Sequence, residues 1–241
     1  MPSRGARARP RGKEGGEISL PLADPLFYSI QGEGASMGRP SVFVRVAGCS
    51  VGCSWCDTKY SWPAESELRA SPEAVVAFCR ERRCGDVVLT GGEPLEAPDL
   101  LPWAKRLAAS GLRLEVETSG YPEPGEDLLS AIHQWNVSPK LSSAGVAEEK
   151  KPRSLTWLER AREGYLKFVI SRPEEVDEIP ALLERCGIGE FPPPRIFLMP
   201  EGLTAREVAQ KSAWLVPLCL ERGFRFSTRL HILLWGAKRG V

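Results

Sequence analysis

The sequence predicts an α/β fold built on a mostly parallel sheet, and three observations carry that expectation. Short β-branched runs alternate with longer stretches bearing helix start and stop signals, the order expected of βα units. The polar clusters "GCSVGC", "TGGEP", "ETSG", "SPK" and "MPEG" each follow such a run, and on parallel sheets functional groups collect where strands end in loops at the C-terminal edge. No internal repeat or linker divides the 241 residues, enough chain to bury a sizeable core. One domain over 26–241 is therefore expected, behind a disordered Arg- and Gly-rich extension over 1–25.

The elements follow in order. "SVFVRVAG" reads as a buried strand that delivers Cys49 at its end. "SPEAVVAFCRER" begins a helix, with Ser71 as its N-cap and Pro72 at the first helical position. "DVVLTGGEP" is an apolar strand running into a Gly-rich turn, and "DLLPWAKRLAASG" a helix closed by Gly111. "LRLEVETSG" and "QWNVSPK" are strands, the second stopped by Pro139. "GYLKFVI" follows a helical pattern around Trp157, and "PEEVDEIPALLERCG" is a further helix. "RIFLMPEG" is a strand. In "LTAREVAQKSAWLVPLCLERG", Thr204 and Glu207 stand at capping-box spacing, and the tail "FRFSTRLHILLWGAKRGV" reads as strand-like, then irregular.

Lys and Arg total 32 against 31 Asp and Glu, a formal net charge of +1, which gives no reason to expect a nucleic-acid or membrane partner. No apolar run approaches the ~20 residues of a membrane span. The first residues lack the apolar stretch of a secretory signal, so a cytoplasmic location is expected. Seven cysteines, clustered in spacing, point in a reducing compartment to metal or redox chemistry rather than to a disulfide framework.

The clustered thiols are Cys49, Cys53 and Cys56, on a loop whose Gly48 and Gly52 permit tight turns. A structural zinc needs four ligands and would have to recruit Cys79 and Cys84. A plain electron-transfer centre usually has cysteine at all four iron positions. The third reading is an iron–sulfur cluster with one iron left open for a small molecule, the arrangement by which a metal centre does chemistry. Cys79, Cys84, Cys186 and Cys219 lie on helices or their ends as free thiols, with no spacing for a second cluster.

The loop C-x-x-x-C-x-x-C, with Trp55 before its third cysteine, resembles that of the radical S-adenosylmethionine (SAM) enzymes, and "TGGEP" after a strand resembles their SAM-binding turn. That resemblance implies an incomplete (β/α) barrel, a 4Fe–4S cluster on Cys49, Cys53 and Cys56, and a methionine amino group received by Gly91, Gly92 and Glu93. "SIQGEGASMGRPSVFVRVAGC", "CDT", "ETSG", "SPK" and "RLHILLWGAKRGV" are similar to one branch, the 7-carboxy-7-deazaguanine synthase family.

The family resemblance implies conversion of 6-carboxy-5,6,7,8-tetrahydropterin to 7-carboxy-7-deazaguanine by radical ring contraction, with loss of ammonia. It implies SAM contacts at Trp55, Cys56, Asp57, Gly92, Ser138, Pro139, Lys140 and the stretch Met199, Pro200, Glu201, Gly202. Substrate contacts fall on Ile30, Gln31, Gly32, Arg45 and Thr90, and Mg²⁺ on Thr58, with substrate and water as further ligands. The implied partners are a flavodoxin or ferredoxin reductant and a second copy in a homodimer. Glu117 is left without a role, and His133 and His231 are read as structural or surface residues. The competing expectations are another small radical SAM enzyme, such as a glycyl-radical activating enzyme, and a non-catalytic zinc or electron-transfer protein.

Overall fold

The structure, a computed structural model, describes residues 18–241. In chain order its elements are β1 (Leu20–Pro21), β2 (Phe27–Ile30), β3 (Pro40–Val46), β4 (Arg69–Ala70), α1 (Pro72–Arg82), β5 (Asp86–Gly91), α2 (Leu100–Ala109) and β6 (Arg113–Thr118). They continue with α3 (Glu126–Ala131), β7 (Gln134–Val137), β8 (Glu163–Ile170), α4 (Glu178–Arg185), β9 (Ile196–Pro200), α5 (Ala205–Arg222), β10 (Arg225–Phe226) and α6 (Leu230–Trp235). Eight strands form one sheet in the order β10-β9-β8-β7-β6-β5-β3-β2. All its neighbours are parallel except the edge hairpin β2–β3, where the Phe27 and Phe43 rings stack 4.9 Å apart.

The expected βα alternation is therefore present, and the reason lies in the strand faces. Val42, Val44, Val87, Leu89, Leu114 and Val116 are buried in one apolar cluster that also takes Trp103 and Leu107 of α2. The opposite face is polar at alternate positions, with Glu115, Gln134, Asn136 and Lys167 all buried. Side chains alternate across a strand, so one face packs on helices and the other looks inward.

No ladder joins the edge strands β2 and β10, so the barrel is incomplete. The loop after β2 spans the concave side instead. Gln31 donates to Glu115 on β6 (2.6 Å), Ser36 to Gln134 on β7 (3.1 Å), and the Gly34 N–H to Ser227 beyond β10 (2.8 Å). The Leu230 N–H donates to the Gly32 carbonyl at 2.9 Å. One loop thus ties both edges together.

The helix signals hold at α1, where the Ala74 N–H donates to Ser71 Oγ, and at α5, whose Thr204–Glu207 capping box is formed. The structure departs from the sequence expectation at four places. The segment around Trp157 is a 3₁₀ turn, Thr156–Arg160, held by the edge of Trp157 against Trp135. "HILLW" lies in the helix α6 rather than an irregular tail, and the short helix α3 was not foreseen. Ordered structure also begins before residue 26. Leu20 and Leu22 are buried, and β1 pairs with β4. Apolar side chains ahead of the first long strand draw this segment into the core. The remainder of the expected extension, 1–17, lies outside the described residues. No helix among the described residues is long and apolar enough to cross a membrane.

Candidate active site

The C-terminal ends of the parallel strands converge on a cavity of about 300 Å³. Each cluster flagged in the sequence reaches it, as the topology of a parallel sheet requires.

Cys49, Cys53 and Cys56 line one wall, and Cys53 is nearly fully buried among Val51, Ala144 and Val146. Gly48 and Gly52 adopt φ of 102° and 72°, so the loop doubles back as only glycine does readily. Its ends are pinned by the Cys49 N–H to the Trp62 carbonyl (3.1 Å) and the Ser54 N–H to the Ala144 carbonyl (2.8 Å). All seven cysteines are free thiols. Burial pushes the Cys49 and Cys53 thiols up, so a bound cation is what makes them thiolates. Among the described residues no three His, Cys, Asp or Glu side chains converge as ligands of a single ion. Three thiols spread along one wall fit a cluster, whose irons are separate attachment points.

The glycine turn is in direct backbone contact with this loop. The Glu93 N–H donates to the Gly48 carbonyl at 2.8 Å and the Gly92 N–H to Val46 at 3.0 Å. A Cβ on Gly92 would stand 2.0 Å from Gly48 O. Glu93 has a different role from the one expected. Its buried carboxylate accepts from Thr118 Oγ1 (2.5 Å), Ser119 Oγ (2.6 Å), the Ser119 N–H (2.8 Å) and the Leu95 N–H (3.1 Å). Four protein donors occupy it, so it clamps the end of β5 to the end of β6 rather than offering a free charge to an ammonium.

Among the remaining SAM candidates, Trp55, Asp57, Ser138, Lys140, Met199 and Glu201 all line the cavity. Lys140 donates to Ser138 Oγ at 3.0 Å and stands 5.5 Å from the centre of the Trp55 ring. Asp57 is held by Arg229, and Glu201 by Lys211. Pro139, Pro200 and Gly202 do not line the cavity. Pro139 and Pro200 are buried behind it, and the Gly202 carbonyl accepts from Arg229 Nη1 at 2.5 Å. Successive residues of an extended segment face opposite ways, which is why Met199 and Glu201 reach the cavity and their neighbours do not.

The substrate candidates Ile30, Gln31, Gly32, Arg45 and Thr90 also line the cavity, as does Thr58. Arg45 and Thr90 are register partners on β3 and β5. Arg45 Nε lies 3.1 Å from Asp24 Oδ2 yet is buried without an aligned hydrogen bond. Asp24 holds that edge of the guanidinium, and the group as a whole stands at the cavity wall, where its further N–H donors suit an incoming carboxylate. Gln31 is otherwise engaged: its amide donates to Glu115 and to Glu117 (3.2 Å), and its backbone bonds to Arg39 and Gly38. It holds the loop, and its side chain is not free for a ligand. Gly32 leaves room for His231, whose Nδ1 would lie 2.2 Å from a Cβ there. Thr58 Oγ1, 3.5 Å from Cys56 Sγ, offers a single hard oxygen.

Sequence reasoning missed Glu33, Lys167 and Arg229 and gave Glu117 and His231 no role at the site, yet all five line the same cavity. Lys167 donates to Glu33 Oε2 and Glu117 Oε2, both at 2.6 Å. Burial, with Glu115 and Glu33 nearby, raises the Glu117 carboxyl to about 7 despite the pull of Lys167. Against the effect of burial, Lys167, Arg229 and His231 hold Glu33 well below the usual carboxylate range. Burial, chiefly, lowers His231. The available signal was the alternation of polar residues within "RLEVET", "QWNV" and "YLKFV", which marks an inward polar face. Asp24 was missed with the segment that carries it. It gathers Arg45, the Tyr60 hydroxyl (2.8 Å) and Arg239, whose guanidinium stacks 3.5 Å over the Tyr60 ring.

Comparison with known proteins agrees with this geometry. Residues 43–142 match the radical SAM superfamily. The chain is 39% identical to the 7-carboxy-7-deazaguanine synthase of Pyrobaculum aerophilum, over 89% of this chain and 95% of that one. It is 31% identical to the enzyme of the same name from Escherichia coli K12, over 86% and 94%. The crystal structure of Escherichia coli QueE superposes with a TM-score of 0.67 at 28% identity, covering 89% of this chain and 95% of that one. Streptococcus suis SuiB bound to S-adenosylmethionine shares the fold alone, with a TM-score of 0.54 at 11% identity over 78% of this chain and 50% of that one. With thiol loop, glycine turn and curated relatives in agreement along nearly the whole chain, it belongs to the 7-carboxy-7-deazaguanine synthase family of radical SAM enzymes.

Proposed function

We propose that this chain converts 6-carboxy-5,6,7,8-tetrahydropterin to 7-carboxy-7-deazaguanine with loss of ammonia, using the cavity at the C-terminal rim as one undivided site. The observation that carries the reading is the contact between the cysteine loop and the glycine turn on one wall, with Arg45 and Thr58 on the same cavity. Cys49, Cys53 and Cys56 hold a 4Fe–4S cluster, which together with SAM supplies one-electron radical chemistry.

The chain's own residues bind and orient. Trp55, Ser138 and Lys140 form a polar and aromatic surface for SAM, with Asp57, Met199 and Glu201 around it, and Gly92 lets the backbone approach closely. Arg45 takes the substrate carboxylate, Thr90 and the backbone of Ile30 and Gly32 contact the ring, and Thr58 would hold Mg²⁺ through its hydroxyl oxygen, substrate and water supplying the further ligands. Pro139, Pro200 and Gly202 act through backbone shape. Holding both reactants in one site supplies orientation. The reductant is a flavodoxin or ferredoxin, the working form a homodimer, and the location cytoplasmic.

The test supplies the anaerobically reconstituted protein with SAM, dithionite, Mg²⁺ and the tetrahydropterin. Formation of 7-carboxy-7-deazaguanine is expected; 5′-deoxyadenosine without it removes the substrate and keeps the superfamily. Arg45→Met is expected to raise KM for the pterin about 10- to 100-fold, the worth of a charge-assisted hydrogen bond, and to change kcat less. Thr58→Val is expected to abolish stimulation by Mg²⁺, measured as rate against added metal.

A further inference from the structure

Alongside Arg229, which bonds Glu33 and Asp57, Lys167 touches two carboxylates at once. It rises from the middle of β8, is nearly fully buried, and bridges Glu33 of the β2 loop to Glu117 of β6 at 2.6 Å each. The remaining oxygens are fixed from other directions. Glu117 Oε1 accepts from Asn136 (2.8 Å) and Gln31 (3.2 Å). Glu33 Oε1 faces Arg229 Nε (3.3 Å) and His231 Nε2 (3.9 Å). A pair of buried carboxylates with no cation between them would repel and take up a proton.

We propose that Lys167 is a positioning residue for the reaction: by bridging Glu33 and Glu117 it fixes both carboxylates on the cavity wall as acceptors for the N–H donors of the pterin. The inference rests on the reading that this cavity takes the pterin. The pterin ring system carries ring N–H and amino donors, and an ionised carboxylate recognises a donor more strongly than a neutral acceptor does; Glu33 is held in that form, and Glu117 reaches it on the alkaline side of its titration. The Lys167 ammonium is taken up by its two partners at 2.6 Å each, and it acts through them.

The arrangement has a pH signature. The charged groups facing Glu117 are Lys167 on β8, Glu33 on the β2 loop and Glu115 on its own strand. Behind them stand Arg113, which pairs with Glu115 at 3.4 Å, and Arg229 and His231 beside Glu33, with Asp57 on the far side of Arg229. Lys167 is the cation in direct contact with Glu117, and its charge pulls that carboxyl down. Removing the charge therefore moves the titration of Glu117 upward from about 7.

The test compares native enzyme with Lys167→Met, loaded with cluster, by kcat and KM for the tetrahydropterin across pH. A native enzyme that forms no 7-carboxy-7-deazaguanine fails the substrate reading and takes this inference with it. With native turnover in hand, the variant is expected to keep its cluster absorption and to lose about 100-fold in kcat/KM, the scale of a misplaced contact. The limb of kcat/KM near neutrality is expected to move up by about one pH unit or more. Unchanged kcat/KM, or a loss with the limb in its native place, overturns the proposal. If the methionine variant does not fold, Glu117→Gln decides: the limb near neutrality is expected to vanish, and its persistence overturns the proposal.

Discussion

Cys53→Ala is expected to abolish both cluster absorption and product formation while leaving the fold intact. Cys53 is the most buried of the three loop thiols, 8% exposed beneath Val51, Ala144 and Val146. Alanine there removes one sulfur from an apolar surround and leaves no polar group unpaired, so the melting temperature changes little. Two thiols remain on the wall, and Glu93 is unable to stand in, because its carboxylate is already filled by four donors. Iron and sulfide content after anaerobic reconstitution, read beside the absorption spectrum, measures the outcome. Cys79→Ala and Cys219→Ala are the comparison. Burial raises both of those thiols to about 11, they lie in the helical core, and native iron content is expected in each variant.

Gly92→Ala is expected to damage fold and SAM binding together. The added methyl would sit 2.0 Å from Gly48 O, 2.6 Å from Gly48 C and 3.1 Å from Cys49 Cβ, and backbone atoms have no rotamer through which to yield. The glycine turn and the cysteine loop must then separate, breaking the Glu93 N–H bond to Gly48. A loss of about 3 kcal/mol is expected from overpacking of this kind, which lowers the melting temperature by roughly 6–12 °C in a chain of this size. Calorimetric titration of the reconstituted protein with SAM is expected to show no binding. Gly85→Ala serves as the control, since a Cβ there meets nothing within 4 Å, and its effect on stability is expected to stay within about 1 kcal/mol.

The strands and the chemistry at their ends were legible in the sequence because both depend on local pattern. β3, β5, β6, β7 and β9 follow from runs of apolar residues and the turns that stop them, and the thiol loop from spacing alone. Elements that depend on distant partners were not. β1 exists because β4 pairs with it, and "HILLW" is a helix because α6 lies against the rest of the fold, with Ile232 buried. At the site, most of the implied residues line the cavity while Pro139, Pro200 and Gly202 do not. Gln31 and Glu93 line the cavity, but their groups are committed to other parts of the chain, a fact that exists only once the chain is folded. Lys167 was passed over because a lone lysine in an apolar strand carries no local mark of the two carboxylates it meets.

The short segment beside β3 has a practical consequence for anyone trimming the protein. Cleavage after residue 25 would look harmless, since the long hairpin and every cysteine survive. It would also remove Leu20 and Leu22 from beneath the sheet and leave Arg45, Tyr60 and Arg239 without the carboxylate they share. A protein shortened in this way is expected to stay loaded with iron yet grip its acidic substrate weakly.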